Sequence, residues 1–166
     1  VALLMEAKQK YSFQQVSPAQ VKSIIQGTAI VMNGSANSPA SGAGLIQADA
    51  MIKPFAKPKP KLTSLESVNN VSFVSGSTLK VNGENLSPTT RISFRGTLIN
   101  TTVTNEYSAT AIIPNYTGGN PSIQLITPAI STSGLDGGVS DTLRFFDIPK
   151  KNITITAENK TKKYGE

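Results

Sequence analysis

Three serines, Ser17, Ser41 and Ser77, stand where a hydroxyl group could be imagined as a nucleophile. A serine attacks a carbonyl carbon only when an adjacent base takes its proton, and imidazole is the usual base. The chain contains no histidine and no cysteine, which excludes Ser–His catalysis, thiolate catalysis, disulfides and cysteine-ligated zinc within these 166 residues. We therefore predict capping or turn roles for the three serines and no catalytic residue in this chain.

One acidic stretch could suggest a metal site. Asp136-Gly137-Gly138, followed by Asp141, places two carboxylates around a flexible turn. Calcium loops alternate oxygen ligands along the chain, and that alternation is incomplete here. We predict a plain turn, with no metal and no cofactor.

The formal net charge of +6 is concentrated in two short segments. Residues 53–61 carry four lysines and no acidic residue, and the last lysines fall between positions 150 and 163. A charge excess confined to a spacer and a tail favours solvated segments over a nucleic-acid surface. We therefore expect no nucleic-acid partner. No apolar run reaches the roughly 18 residues that span a bilayer, so we also expect no membrane span.

Helical patterns fill residues 1–52. Residues 1–7 are good helix formers that are apolar on nearly every side, with no capping residue before them, so we expect the chain to begin inside a helix of a larger body. Ser17 is the predicted N-cap of a second helix, with Pro18 at its first position and Gln20 closing a capping box.

The buried side of the second helix follows from its spacing. Val21, Ile24, Ile25 and Thr28 recur at helical intervals, and Val16 is placed for a hydrophobic staple with Val21. Residues 45–52 predict a third, short helix. Three helices this apolar are typical of segments that cover a sheet.

Residues 53–61 alternate proline and lysine, which sustains neither a helix nor a strand ladder. We predict an extended spacer and a domain boundary there. Beyond it, short β-rich runs are separated by turn residues, which is typical of an antiparallel sandwich. The predicted strands are residues 71–74, 77–81, 91–94, 98–103, 109–113, 122–126 and 142–146, and residues 153–157 resemble a first strand without partners.

Residues 1–52 resemble the end of the catalytic domain of subtilases, the subtilisin-like serine proteases. Three pieces carry the resemblance in order: the Ala/Leu-rich residues 1–7, the Ser-Pro-Ala-Gln-Val-Lys run at 17–22, and the Gly-Ala-Gly-Leu-Ile-Gln-Ala run at 42–48. Gln47 stands where the family usually has an acidic residue. Since the triad of subtilisin runs Asp, His, Ser along the chain, the resemblance implies that all three catalytic residues lie upstream of Val1.

The following segment is similar to IPT/TIG domains, which are immunoglobulin-like sandwiches. The matching runs are residues 75–86, 92–97 and 111–114, and in this reading Gly83 serves a turn with positive φ. Residues 153–166 are similar to the opening of bacterial MBG modules, which implies a further repeat downstream.

Together these patterns predict a multidomain fragment: an α-helical tail of an α/β subtilase domain (1–52), a Pro/Lys linker (53–61), an all-β immunoglobulin-like sandwich (62–148) and the start of an MBG-like module (149–166). The parent would be a secreted or cell-surface bacterial serine endopeptidase acting on protein or peptide substrates. The alternative is a non-enzymatic adhesin or interaction protein. The sandwich itself would be a spacer, or a binder of protein or carbohydrate; Phe73, Tyr107 and Tyr116 are its candidate outward aromatic residues.

Overall fold

The computed structural model describes residues 1–32, 34, 38–68 and 73–146. In that part of the chain three helices precede nine strands. The helices are α1 (Ala2–Ser12), α2 (Pro18–Thr28) and α3 (Ala48–Ile52). The strands are β1 (Lys61–Ser67), β2 (Thr78–Glu84), β3 (Arg91–Phe94), β4 (Thr97–Leu98), β5 (Thr101–Asn105), β6 (Ser108–Ile112), β7 (Ser122–Thr127), β8 (Gly138–Val139) and β9 (Leu143–Arg144). The predicted strand at 153–157 and the MBG-like segment lie outside the described residues.

The start of α2 confirms the predicted capping box. The Ser17 amide donates to Gln20 Oε1 at 2.8 Å, and the Gln20 amide donates to Ser17 Oγ at 3.3 Å. Two of the amides that a helix start leaves without partners are thereby satisfied. Val21 is buried in a small cluster with Leu4 and Met51, and Val16 packs against it.

Replacing Ser17 by alanine should destabilise the helical segment by about 1 kcal/mol, because the Gln20 amide loses its acceptor. Ser23→Ala is the matched control: Ser23 is exposed in the interior of the same helix, where alanine is the better helix former. Amide hydrogen exchange in the first turn of α2 measures the effect. Equal exchange rates in the two variants would contradict the capping role.

The predicted third helix is shorter than its pattern indicates. Residues 45–47 are not helical, because Leu45 pairs with Ile30 through two backbone hydrogen bonds of 2.9 Å. Gly44 permits this approach, since a Cβ atom there would lie 2.1 Å from the Ile30 carbonyl oxygen. Helix α1 is longer than expected and ends where Phe13 adopts a left-handed conformation with φ 54°.

The nine strands form two antiparallel sheets. One sheet has the order β1-β2-β6-β5, and the other has the order β4-β3-β7-β8. Strand β9 also pairs with β7, at residues of β7 other than those that pair with β8. This is the immunoglobulin arrangement, in which an A-B-E-D sheet faces a C′-C-F-G sheet, so the predicted antiparallel sandwich is confirmed. The core between the sheets contains Leu62, Leu79, Val81, Leu86, Ile92, Phe94, Ala109, Ala111, Ile113, Ile123, Leu125 and Phe145.

The prediction of a single strand over residues 98–103 is wrong, and strands β1 and β8 were not predicted. Of the predicted strand at 71–74, residues 71–72 lie outside the described residues and residues 73–74 are not in a strand. Residues 98–103 were expected to form one strand, but β4 and β5 belong to different sheets. The bend between them is held by Thr101, whose Oγ1 accepts from the Ile92 amide at 2.8 Å and donates to the Ile99 carbonyl at 2.9 Å. Strand β1 was not predicted, because only Leu62 along it is buried.

Gly83 does not occupy the predicted turn. It lies inside β2 opposite Leu62, and the residue with positive φ is Asn85, at 63°. A Cβ atom at Gly83 would lie 2.3 Å from the Lys61 carbonyl oxygen. The glycine is therefore required by the close approach of β1.

Candidate functional site

The segment predicted to be a free spacer is docked on one end of the sandwich. The Lys57 amide donates to Asp136 Oδ2 at 2.8 Å, and the Gly137 amide donates to the Lys57 carbonyl at 2.7 Å. Ala56 is buried and Pro60 is fully buried. We call this contact between residues 53–60 and the β7–β8 loop the joint.

Asp136 anchors the joint. Its Oδ2 accepts from the amides of Lys57 and Ile130, and its Oδ1 accepts from the amide and the hydroxyl of Ser131. Burial raises the pKa of Asp136, but these hydrogen bonds outweigh it and lower the pKa from 3.8 to about 2. With both oxygens occupied by protein donors, the carboxylate organises a loop, as the predicted turn requires.

Among the described residues no group of three acidic side chains is placed to hold a metal ion. Asp141, the second carboxylate of the acidic stretch that could suggest a calcium loop, is exposed.

Contacts from the helices extend the joint. The Ser133 amide donates to the Tyr11 carbonyl at 3.1 Å. Lys53 lies 3.1 Å from Asp49 and 3.8 Å from Glu106, and its hydrogen bond to Asp49 raises the Lys53 pKa. Such half-exposed ion pairs contribute little to stability, so the backbone hydrogen bonds set the geometry of the joint.

Residues 1–52 present an unusually apolar surface. Among the described residues of this segment, the large side chains that are buried in its small core are those of Leu4, Val21 and Met51. In the described part of this segment, nine other large apolar side chains are exposed: Val1, Leu3, Met5, Phe13, Ile30, Val31, Met32, Leu45 and Ile46. Single exposed apolar residues are ordinary on a protein surface, and this segment has many of them for its length.

The three serines have the structural roles predicted for them. Ser17 caps α2, Ser41 Oγ lies 2.6 Å from Ser38 Oγ within a turn, and the Ser77 hydroxyl donates to the Val74 carbonyl at 2.7 Å. The structure leaves them in three separate segments.

The candidate aromatic residues are also dispersed. Tyr107 is exposed beside the joint, whereas Phe73 and Tyr116 are half-buried around Phe145 at the other end of the sandwich. The backbone contacts of the joint were not predicted, because no pattern of side chains in the sequence indicates them.

No helix among the described residues is both long enough and apolar enough to cross a bilayer. A comparison with curated proteins gives no significant match. The profile of the IPT/TIG domain matches residues 60–145, which include all nine strands of the sandwich. This match covers more than half of the chain and agrees with the observed pairing of the two sheets. The chain belongs to the IPT/TIG domain family.

Proposed function

We propose that this chain is the C-terminal part of a secreted bacterial subtilisin-like serine endopeptidase with an accessory IPT/TIG domain. In this proposal residues 1–52 end the catalytic domain, the sandwich follows, and residues 149–166 open an MBG-like module. The catalytic Asp, His and Ser lie upstream of Val1. The observation that carries the proposal is the apolar surface of residues 1–52.

That surface supports a sheet as the covering element. The exposed apolar side chains come from α1, from the extended pair around Ile30 and Leu45, and from the loops beside them. Helices that are apolar on several sides are normally interior, and in α/β proteins they cover a central sheet. The subtilase-like order of residues 1–7, 17–22 and 42–48 supports the sheet of a protease domain as the occupant.

The described residues would act by positioning. The reaction of the parent enzyme is acyl transfer to a serine and then to water. Packing of α1 and α2 against the sheet would hold the helix that carries the nucleophile. The joint would fix the IPT/TIG domain as a rigid neighbour of the catalytic domain, because its backbone hydrogen bonds leave little freedom at residues 56–60.

The first test is to read the coding sequence upstream of Val1 and assay the whole gene product. We expect Asp, His and Gly-Thr-Ser motifs in that order, hydrolysis of an unfolded protein substrate, and loss of activity on replacing the motif serine by alanine. An unrelated upstream sequence, or intact motifs without hydrolysis, would refute the endopeptidase. A non-enzymatic adhesin would then be the better account.

Within the described residues, Leu3→Glu tests the covered surface in that longer protein. We expect a destabilised protease of lower activity, because a charge would be buried against the sheet. Gln26→Glu, at an exposed polar position of α2, is the matched control and should leave activity unchanged. Equal activity and equal melting temperature of the two variants would show that Leu3 stays in water.

A further inference from the structure

A second surface lies at the end of the sandwich opposite the joint. There the β3–β4 turn and the β6–β7 loop enclose an open cleft of about 690 Å³. We call it the distal cleft and define it by Ser75, Phe94, Arg95, Thr97, Asn115 and Tyr116. It is independent of residues 1–52 and of the protease proposal.

The aromatic part of the distal cleft is fixed in place. The Tyr116 hydroxyl donates to the Phe73 carbonyl at 2.6 Å, and the Tyr116 amide donates to Ser75 Oγ at 3.1 Å. Its ring packs edge-on against Phe94 and Phe145, at centroid distances of 5.4 and 6.1 Å. A preformed ring of this kind presents apolar surface to a ligand without an ordering cost on binding.

The cleft is bordered by positive charge. The Arg95 guanidinium lies 5.3 Å from the Tyr116 ring centroid and donates to the Gly118 carbonyl. Arg144 donates to the Asn120 carbonyl at 2.9 Å, so one short turn holds both arginines. Within the described ranges neither guanidinium pairs with a carboxylate, and the four ion pairs there all use lysines. Because a guanidinium has five N–H donors, most of those on Arg95 remain available to a ligand.

We propose that the distal cleft binds an acidic saccharide, a sugar ring that carries a carboxylate. The guanidinium fork of Arg95 matches a carboxylate in shape and charge. The Thr97 hydroxyl and the Asn115 amide both donate and accept hydrogen bonds, as sugar hydroxyls require. The Tyr116 side chain lines the same cleft and adds apolar contact area beside these polar groups. An acidic peptide can also pair with Arg95 and form hydrogen bonds to the wall through its backbone, so a short acidic peptide is the competing ligand in the test.

The test is an NMR titration of the whole chain with tri-galacturonic acid, with neutral galactotriose as the matched ligand. We expect shifts at the amides of residues 95–97 and 115–118, and binding of the charged trimer about tenfold or more tighter, the value of one charge-assisted hydrogen bond. Added salt should weaken only the charged ligand. Equal affinities for the two trimers would overturn the proposal, as would tighter binding of tetraglutamate.

Arg95→Asn should remove the preference for the charged trimer, by about tenfold. Asparagine is chosen because it tolerates the left-handed backbone at this position, where φ is 50°. Arg91→Asn, at the start of the strand that precedes Arg95 and outside the cleft, should bind like the original chain. Arg95→Lys keeps the charge without the fork and should bind several-fold more weakly, which tests the proposal even if the asparagine variant unfolds. Unchanged affinity in both Arg95 variants would refute it.

Discussion

Asp136→Asn is expected to lower the free energy of unfolding by about 3 kcal/mol near neutral pH. Each carboxylate oxygen of Asp136 accepts two hydrogen bonds, and an amide NH₂ in place of one oxygen would face donors. Amides of Lys57, Ile130 or Ser131 would then be buried without an acceptor. The loss should be concentrated at the joint, where the Lys57 amide would exchange with solvent faster.

The same variant should change the pH dependence of stability. In the folded chain the hydrogen bonds hold the pKa of Asp136 at about 2 against an ordinary value of 3.8. The ionised carboxylate therefore contributes stability that is fully present above about pH 4 and is lost as the pH falls through about 2. The shift corresponds to about 2 kcal/mol. The stability difference between the original chain and Asp136→Asn should thus narrow across that window.

Urea unfolding at a series of pH values measures both effects. Asp141→Asn is the matched control, because it makes the same chemical change at an exposed position only five residues away. It should alter the free energy of unfolding by less than about 0.5 kcal/mol. Parallel pH profiles for the original chain and Asp136→Asn would show that this carboxylate does not anchor the joint.

Local signals account for what the sequence predicts well. Helix α2 is specified by Ser17, Pro18 and Gln20 within four positions, and no distant residue is needed to form its cap. The central strands β3 and β7 are found close to where they were expected, and β7 alternates buried and half-buried residues along its length. In these segments local propensity and tertiary packing favour the same structure.

Distant partners account for what the sequence does not predict. Leu45 has a helical neighbourhood, yet its backbone pairs with Ile30. Thr101 redirects the chain between sheets because its hydroxyl binds groups of the bend and of β3. Strand β1 is largely polar and becomes a strand only because β2 offers it an unpaired edge.

Distant partners also explain why the joint and the distal cleft were not predicted. The Pro/Lys composition of residues 53–61 indicates a spacer, but the acceptor for the Lys57 amide is 79 residues away. Tyr116 was a candidate outward-facing aromatic residue. Arg95 was not a candidate, because the turn that brings Arg95 over the ring depends on sheet pairing. Backbone contacts, and loops that meet only in the folded chain, do not produce a regular spacing of residue types in the sequence.

Gly83→Ala is expected to destabilise the sandwich by about 3 kcal/mol, at the upper end of the cost of overpacking. The added methyl group would lie 2.3 Å from the Lys61 carbonyl oxygen and 3.0 Å from the Leu86 side chain. The backbone of β1 would have to withdraw, and the pairing at the irregularity between Leu62 and Ser64 would be lost first. Since Lys61 directly follows the docked residues 53–60, the joint should loosen as well.

Gly27→Ala makes the same chemical change but is expected to change the stability in the opposite direction. Gly27 lies in α2 with no atom near the position of a Cβ, so alanine should stabilise the helical segment by about 0.5–1 kcal/mol. Both substitutions reduce the freedom of the unfolded chain equally. The difference between their free energies of unfolding, measured with urea, therefore reports the effect of close packing at Gly83 and not the effect of backbone entropy. If Gly83→Ala proved as stable as the original chain, β1 could not lie as close to β2 as described. The sandwich would then have to hold residues 53–60 through the β7–β8 loop alone.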